Sequence, residues 1–103
     1  MKTLRLTRSD FKKSDSCWSD YVGGEDVSNY AGNIEISANL GWVIFESISA
    51  VGYISAKAGS GIEAGRGIEA GLGIEAGRGI EAGWGIEAGH GIEAGWGIKA
   101  GDG

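Results

Sequence analysis

Residues 61–102 are seven consecutive hexapeptides, six of the form Gly-Ile-Glu-Ala-Gly-x and a last one with Lys99 in place of Glu, and a strict period of six leaves this chain few folds to choose from. Ile62, Ile68, Ile74, Ile80, Ile86, Ile92 and Ile98 are evenly spaced, and an alanine follows each two places on, from Ala64 to Ala100. Six matches neither the 3.6 residues of a helical turn nor the 3.5 of a coiled coil, and two glycines in every six residues would cost a helix about 1 kcal/mol each. A flexible linker is excluded as well, because linker glycine does not come with a large aliphatic residue on a fixed period. In an extended segment Ile and Ala point to one side and Glu to the other. The hexad therefore predicts a short strand Ile-Glu-Ala, apolar side inward, followed by a Gly-x-Gly corner whose glycines can take positive φ. Repetition winds these strands into a β-solenoid.

Upstream the frame continues in weaker form through Ile36-Ser37-Ala38, Trp42-Val43-Ile44, Ile48-Ser49-Ala50 and Ile54-Ser55-Ala56, with Trp42 in the inward place of its hexad. Ile54 and Ile62 are eight apart, so Ser60-Gly61 reads as a two-residue insertion taken up at a corner, and Tyr53 falls at another corner. This gives a single-domain, mainly β chain of two parts. Residues 34–103 form the solenoid of eleven hexads, and residues 1–33 form an irregular cap or interface segment. TLRLT suits an edge strand there, and Phe11, Trp18 and Tyr21 suit a cover for strand edges and an apolar cross-section.

Over residues 34–103 the period and the inward isoleucine resemble the hexapeptide-repeat β-helices, in which three hexads make one triangular coil of eighteen residues. That family places a small residue four positions after the aliphatic one. Here the position holds Arg66, Leu72, Arg78, Trp84, His90 and Trp96, which are too bulky for an interior corner and are expected outside. An eighteen-residue coil sets Arg66 against Trp84 and Arg78 against Trp96, two cation–π contacts of about 0.5–1 kcal/mol each. A twelve-residue coil would stack Arg66 on Arg78 instead, so the triangular coil is preferred. The acyltransferases that share this fold use a histidine and further loops, and their activity does not carry over to this chain.

The formal net charge is −5, which argues against direct binding to nucleic acid or to an anionic membrane, since both reward basic patches. A protein partner with a basic surface is expected instead. His90 and Cys17 are the lone residues of their types, so neither metal site, cofactor nor catalytic group is expected, and Cys17 reads as a small apolar group. MKTLRLTRSDFKK lacks the apolar core of a signal peptide, and a cytoplasmic location is expected, the host cytoplasm if the chain is phage-encoded.

Two features could carry recognition. One is the outward array of Glu63, Glu69, Glu75, Glu81, Glu87 and Glu93, spread over three faces, whose charge density along the axis approaches that of duplex DNA before nearby cations are subtracted. The other is the pair Trp84 and Trp96 at exposed corners, residues of the type that anchor interfaces. In general character the chain resembles small phage and mobile-element inhibitors of bacterial defence, such as anti-CRISPR and antirestriction proteins. The resemblance implies a non-catalytic acidic module that inhibits a basic nucleic-acid-handling protein. The alternative is a structural repeat, a stalk, tip or assembly element, with homodimerisation through a solenoid end or through the N-terminal segment.

Overall fold

The computed structural model describes residues 2–13 and 18–101, and these form a β-solenoid of stacked, three-sided coils. Three parallel faces result. Face 1 runs β1 (Thr3–Leu6), β4 (Asn33–Ile36), β7 (Ile54–Ala56), β10 (Gly73–Ala76) and β13 (Gly91–Ala94). Face 2 runs β3 (Trp18–Tyr21), β5 (Gly41–Phe45), β8 (Ser60–Ala64), β11 (Gly79–Ala82) and β14 (Gly97–Ala100), with β2 (Phe11–Lys13) antiparallel to β3 at its edge. Face 3 holds β6 (Ile48–Ala50), β9 (Gly67–Ala70) and β12 (Gly85–Ala88), extended by an isolated parallel bridge from Tyr30 to Ala50.

Coil length follows from the register. Ile74 lies beside Ile92, Ile80 beside Ile98 and Ile68 beside Ile86, each eighteen residues apart as the triangular reading requires. Within the strands Ile and Ala face inward and are buried from Ile34 to Ala82, while the residue between them faces out. Full burial of one such isoleucine is worth about 1.5–3 kcal/mol, so the column of isoleucines supplies most of the driving force.

The first coils depart from the expected frame. Ile54 pairs with both Ile34 and Ile74, so the inward pair on β4 is Ile34 and Ile36, not Ile36 and Ala38. On β5 the inward residues are Val43 and Phe45, which lie beside Ile62 and Ala64 and are buried. Trp42, expected inside, therefore sits on the outer side, half-buried beside Gly61. The corner before it explains the shift. Residues 37–40 form a wide loop with Asn39 at φ 61, β5 opens on Gly41 at φ 74, and the loop tucks Leu40 into the core. The next coil repeats this corner with Gly59 at φ 82, where the expected insertion is absorbed and Ser60 joins β8. Buried Ser60 holds the two corners together, accepting from the Leu40 N–H at 3.1 Å and donating to the Ser37 carbonyl.

The glycines of the regular hexads act by a different means from the one expected, since among the described glycines only Gly41 and Gly59 have positive φ. What they provide is clearance. A Cβ on Gly71, Gly83, Gly89 or Gly95 would run into the carbonyl oxygen of Val51, Gly65, Gly71 or Gly77 in the neighbouring coil. Those contacts accompany the ladder that joins the corners, in which Gly83 N–H donates to the Ala64 carbonyl at 3.0 Å and Gly89 N–H to the Ala70 carbonyl at 3.1 Å.

Residues 1–33, expected as cap or interface, contribute the first rungs of faces 1 and 2: Leu4 and Leu6 pair with Ile34 and Ile36, and Asp20 with Ile44. Phe11 and Tyr21 pack on Phe45, with ring centroids 5.9 and 5.4 Å away. Cys17 and Asp102 lie outside the described residues.

Candidate functional site on the solenoid surface

The coil geometry sorts the variable residues into three corner columns. Between faces 2 and 3 stand Glu46, Arg66 and Trp84, between faces 3 and 1 Leu72 and His90, and between faces 1 and 2 Arg78 and Trp96. Each column is tied by main-chain bonds, such as Trp84 N–H to the Arg66 carbonyl at 2.8 Å and Trp96 N–H to the Arg78 carbonyl at 2.7 Å. All of these side chains are outside, as expected from their bulk. Arg66 lies over the Trp84 ring at 5.2 Å and Arg78 over the Trp96 ring at 4.5 Å. Both indoles keep large exposed surfaces, 58% and 68%.

The same register divides the six glutamates two to a face. Glu75 and Glu93 are neighbours on face 1, Glu63 and Glu81 on face 2, and Glu69 and Glu87 on face 3, each pair about 4.8 Å apart at the backbone. The array expected over three faces takes the form of three short rows. Among the described residues none of the six makes an ion pair. Arg66 instead reaches Glu46 at 4.0 Å, Arg5 reaches Glu35 at 3.4 Å, and Glu35 also accepts from the Tyr53 hydroxyl at 2.9 Å. The corner arginines lie on indoles, which leaves the repeat carboxylates bare. Lys99 extends the face 2 row beside Glu81.

Glu63 differs from the other five. Its Oε1 is buried without a hydrogen-bond partner, and burial first, then the charge of Glu81, raises its carboxyl above the usual glutamate range. Its outward neighbour on β5 is the apolar Ile44, so one side of the carboxylate faces no polar group in the row.

On each face a row of glycines runs beside the outward glutamates and forms the floor of a shallow trough. On face 2 the floor is Gly61 and Gly79, and the Trp42 indole covers it: a Cβ on either glycine would come within 2.9 or 2.8 Å of the ring. On face 3 the corresponding residues are Ser47, Gly67 and Gly85, and the trough is open, about 530 Å³, walled by Trp84 and Arg66 on one side and Glu69 and Glu87 on the other. Face 1 has an open trough of about 610 Å³ along Gly73 and Gly91, walled by His90, Glu75 and Glu93. Tyr53, which precedes Ile54 as Trp42 precedes Val43, is turned away to Glu35 and leaves that floor bare. The troughs and the role of Trp42 had no signal in the sequence beyond the glycine positions themselves.

Among the described residues no group of three or more His, Cys, Asp or Glu side chains could hold a metal ion, and no helix is long and apolar enough to cross a membrane. Neither a protein-family model, nor a curated protein, nor a solved structure matches the chain.

Proposed function

We propose that this protein is a non-catalytic acidic binding module whose solenoid presents unpaired glutamates to a protein with a basic surface. We read its coils as hexapeptide repeats, and its target as a nucleic-acid-handling protein inhibited in the manner of phage anti-defence factors or DNA-mimic decoys. The observation that carries this reading is the absence of ion pairs to the six repeat glutamates among the described residues, although Arg66 and Arg78 stand on the adjoining corners. Charge is also distributed unevenly along the chain. Residues 34–103 hold nine carboxylates and four cations, whereas residues 1–33 hold five of each, so the whole net charge of −5 belongs to the glutamate-bearing coils. An excess of one sign on rigid faces steers an oppositely charged partner and raises its on-rate.

The test is a pull-down from a bacterial lysate at low and high salt, repeated with Glu63, Glu69, Glu75, Glu81, Glu87 and Glu93 all changed to Lys. The acidic module retains a basic nucleic-acid-binding protein at low salt, loses it at high salt, and loses it on reversal while its circular dichroism spectrum is unchanged. Recovery of the same partner by the reversed protein overturns the reading. A second reading, a structural repeat that attaches through one end, is favoured by the uneven burial along the axis: Ile98 on β14 is 50% exposed, whereas Leu6 on β1 is 1% exposed. That reading predicts self-association or attachment insensitive to the glutamate reversal.

A further inference from the structure

The three faces are built alike, yet only one has its glycine floor covered. On face 2 the indole of Trp42 lies on Gly61 and Gly79, so a flat side chain is the shape that this floor accepts. The equivalent floor on face 3, Gly67 and Gly85, is bare because Ser47 stands where Trp42 stands on face 2. From these two observations we infer that the open trough of face 3 is a binding site for an arginine side chain of the basic partner, seated flat on Gly67 and Gly85 between the Trp84 indole and the carboxylates of Glu69 and Glu87. The inference deepens the acidic-module reading and rests on it.

The chemistry selects arginine over other flat groups and over lysine. Glu69 and Glu87 are adjacent, exposed and without an ion pair among the described residues, so the outer wall lacks a cation. Trp84 forms the opposite wall, and the molecule already shows that its ring receives a guanidinium, because Arg66 lies over it at 5.2 Å. A guanidinium is planar, stacks on an aromatic face and donates in a fork to carboxylates, whereas an ammonium is a compact and strongly hydrated point charge. Ser47 and Ser49 add hydroxyls within the same trough and no positive charge. Face 1 differs in its wall, which is His90 in place of an indole; Lys57 borders its trough as Arg66 borders that of face 3, so face 1 offers the same number of repeat glutamates with a weaker aromatic surface.

Labelled octa-arginine and octa-lysine peptides of equal charge separate the site from general attraction. Their affinities for the full chain are measured by fluorescence anisotropy at fixed, low salt. The trough predicts that octa-arginine binds about tenfold more tightly than octa-lysine. Ser47→Trp should transplant the Trp42 arrangement to face 3 and fill the trough, lowering octa-arginine binding to the octa-lysine level with little change in octa-lysine binding. Trp84→Ala provides an independent variant at an exposed corner and should also remove the arginine preference. Glu75→Gln with Glu93→Gln on face 1 should weaken both peptides alike and preserve their ratio. Equal affinities for the two peptides, or a preference that survives both Ser47→Trp and Trp84→Ala in folded protein, overturns the site and leaves the acidic module standing. Failure of both peptides to bind overturns the site and the acidic module together.

Discussion

Glu63 is the residue at which the repeat works against itself. The hexad places a glutamate there, but burial of Oε1 beside Ile44 and the neighbouring Glu81 make the ionised form costly. Because the carboxyl is raised in the folded state, folding favours its protonated form, and this group makes the protein less stable as pH rises from the ordinary glutamate range through the raised value. Glu63→Gln should therefore raise the melting temperature at neutral pH, and the difference should vanish in melts recorded below the ordinary glutamate range. A lower melting temperature for the variant at neutral pH would show that the ionised carboxylate is satisfied. Ile80 and Trp84 mark the opposite ends of exposure. Ile80→Asp puts an unpaired charge into a dry core and should abolish the cooperative melt, whereas Trp84→Ala removes a corner side chain and should cost at most about 1 kcal/mol, the worth of its contact with Arg66. Equal damage from both, followed by circular dichroism, would invert the inside and outside of the hexad.

At the level of strand and corner, stability depends on how closely one coil can sit on the next. At Gly71, Gly83, Gly89 and Gly95 the glycine before the variable residue lies against a carbonyl of the neighbouring coil, and on faces 1 and 3 the glycine after it is freer: a Cβ on Gly67 or Gly73 would be 3.4 Å from the Gly85 or Gly91 oxygen, and on Gly91 it would meet nothing within 4 Å. Gly89→Ala should accordingly destabilise by about 1–3 kcal/mol, as overpacking does, while Gly91→Ala should be neutral within about 0.5 kcal/mol. Urea titrations of the two variants read this directly, and comparable losses would contradict the clearance role. The regular strands were legible because the register of β9 to β14 simply repeats the sequence period. Counting eighteen residues from Arg66 and Arg78 also located both cation–π contacts. The β5 strand was not legible, since a nine-residue step from Ile34 to Val43 breaks the period, and Trp42 is apolar enough to pass for a core residue. Likewise β3 joins face 2 with Trp18 beside Trp42, a step of twenty-four residues where the regular coils step by eighteen.

For the whole molecule, the consequence of three faces is that charge and shape are both distributed around the axis. The sequence suggested an acidic array spread over three faces, and the register resolves it into three rows of two with Arg66 and Arg78 set aside at the corners. The exposure of Trp84 and Trp96 was foreseeable from their place in the hexad. The troughs were not, because a groove between a corner column and a glutamate row exists only once the coil length and the position of Trp42 are known. With its charges acting together, the body should bind cations cooperatively with several carboxylates and release them as salt rises. The most direct measurement is the affinity of octa-lysine, which ignores the arginine trough, as a function of salt for the native chain and for a variant with all six repeat glutamates changed to Gln. The acidic module predicts that binding by the native chain falls steeply with salt, and that the variant, equally folded by circular dichroism, binds weakly with a nearly flat dependence. Indistinguishable affinities and slopes for the two proteins would contradict it.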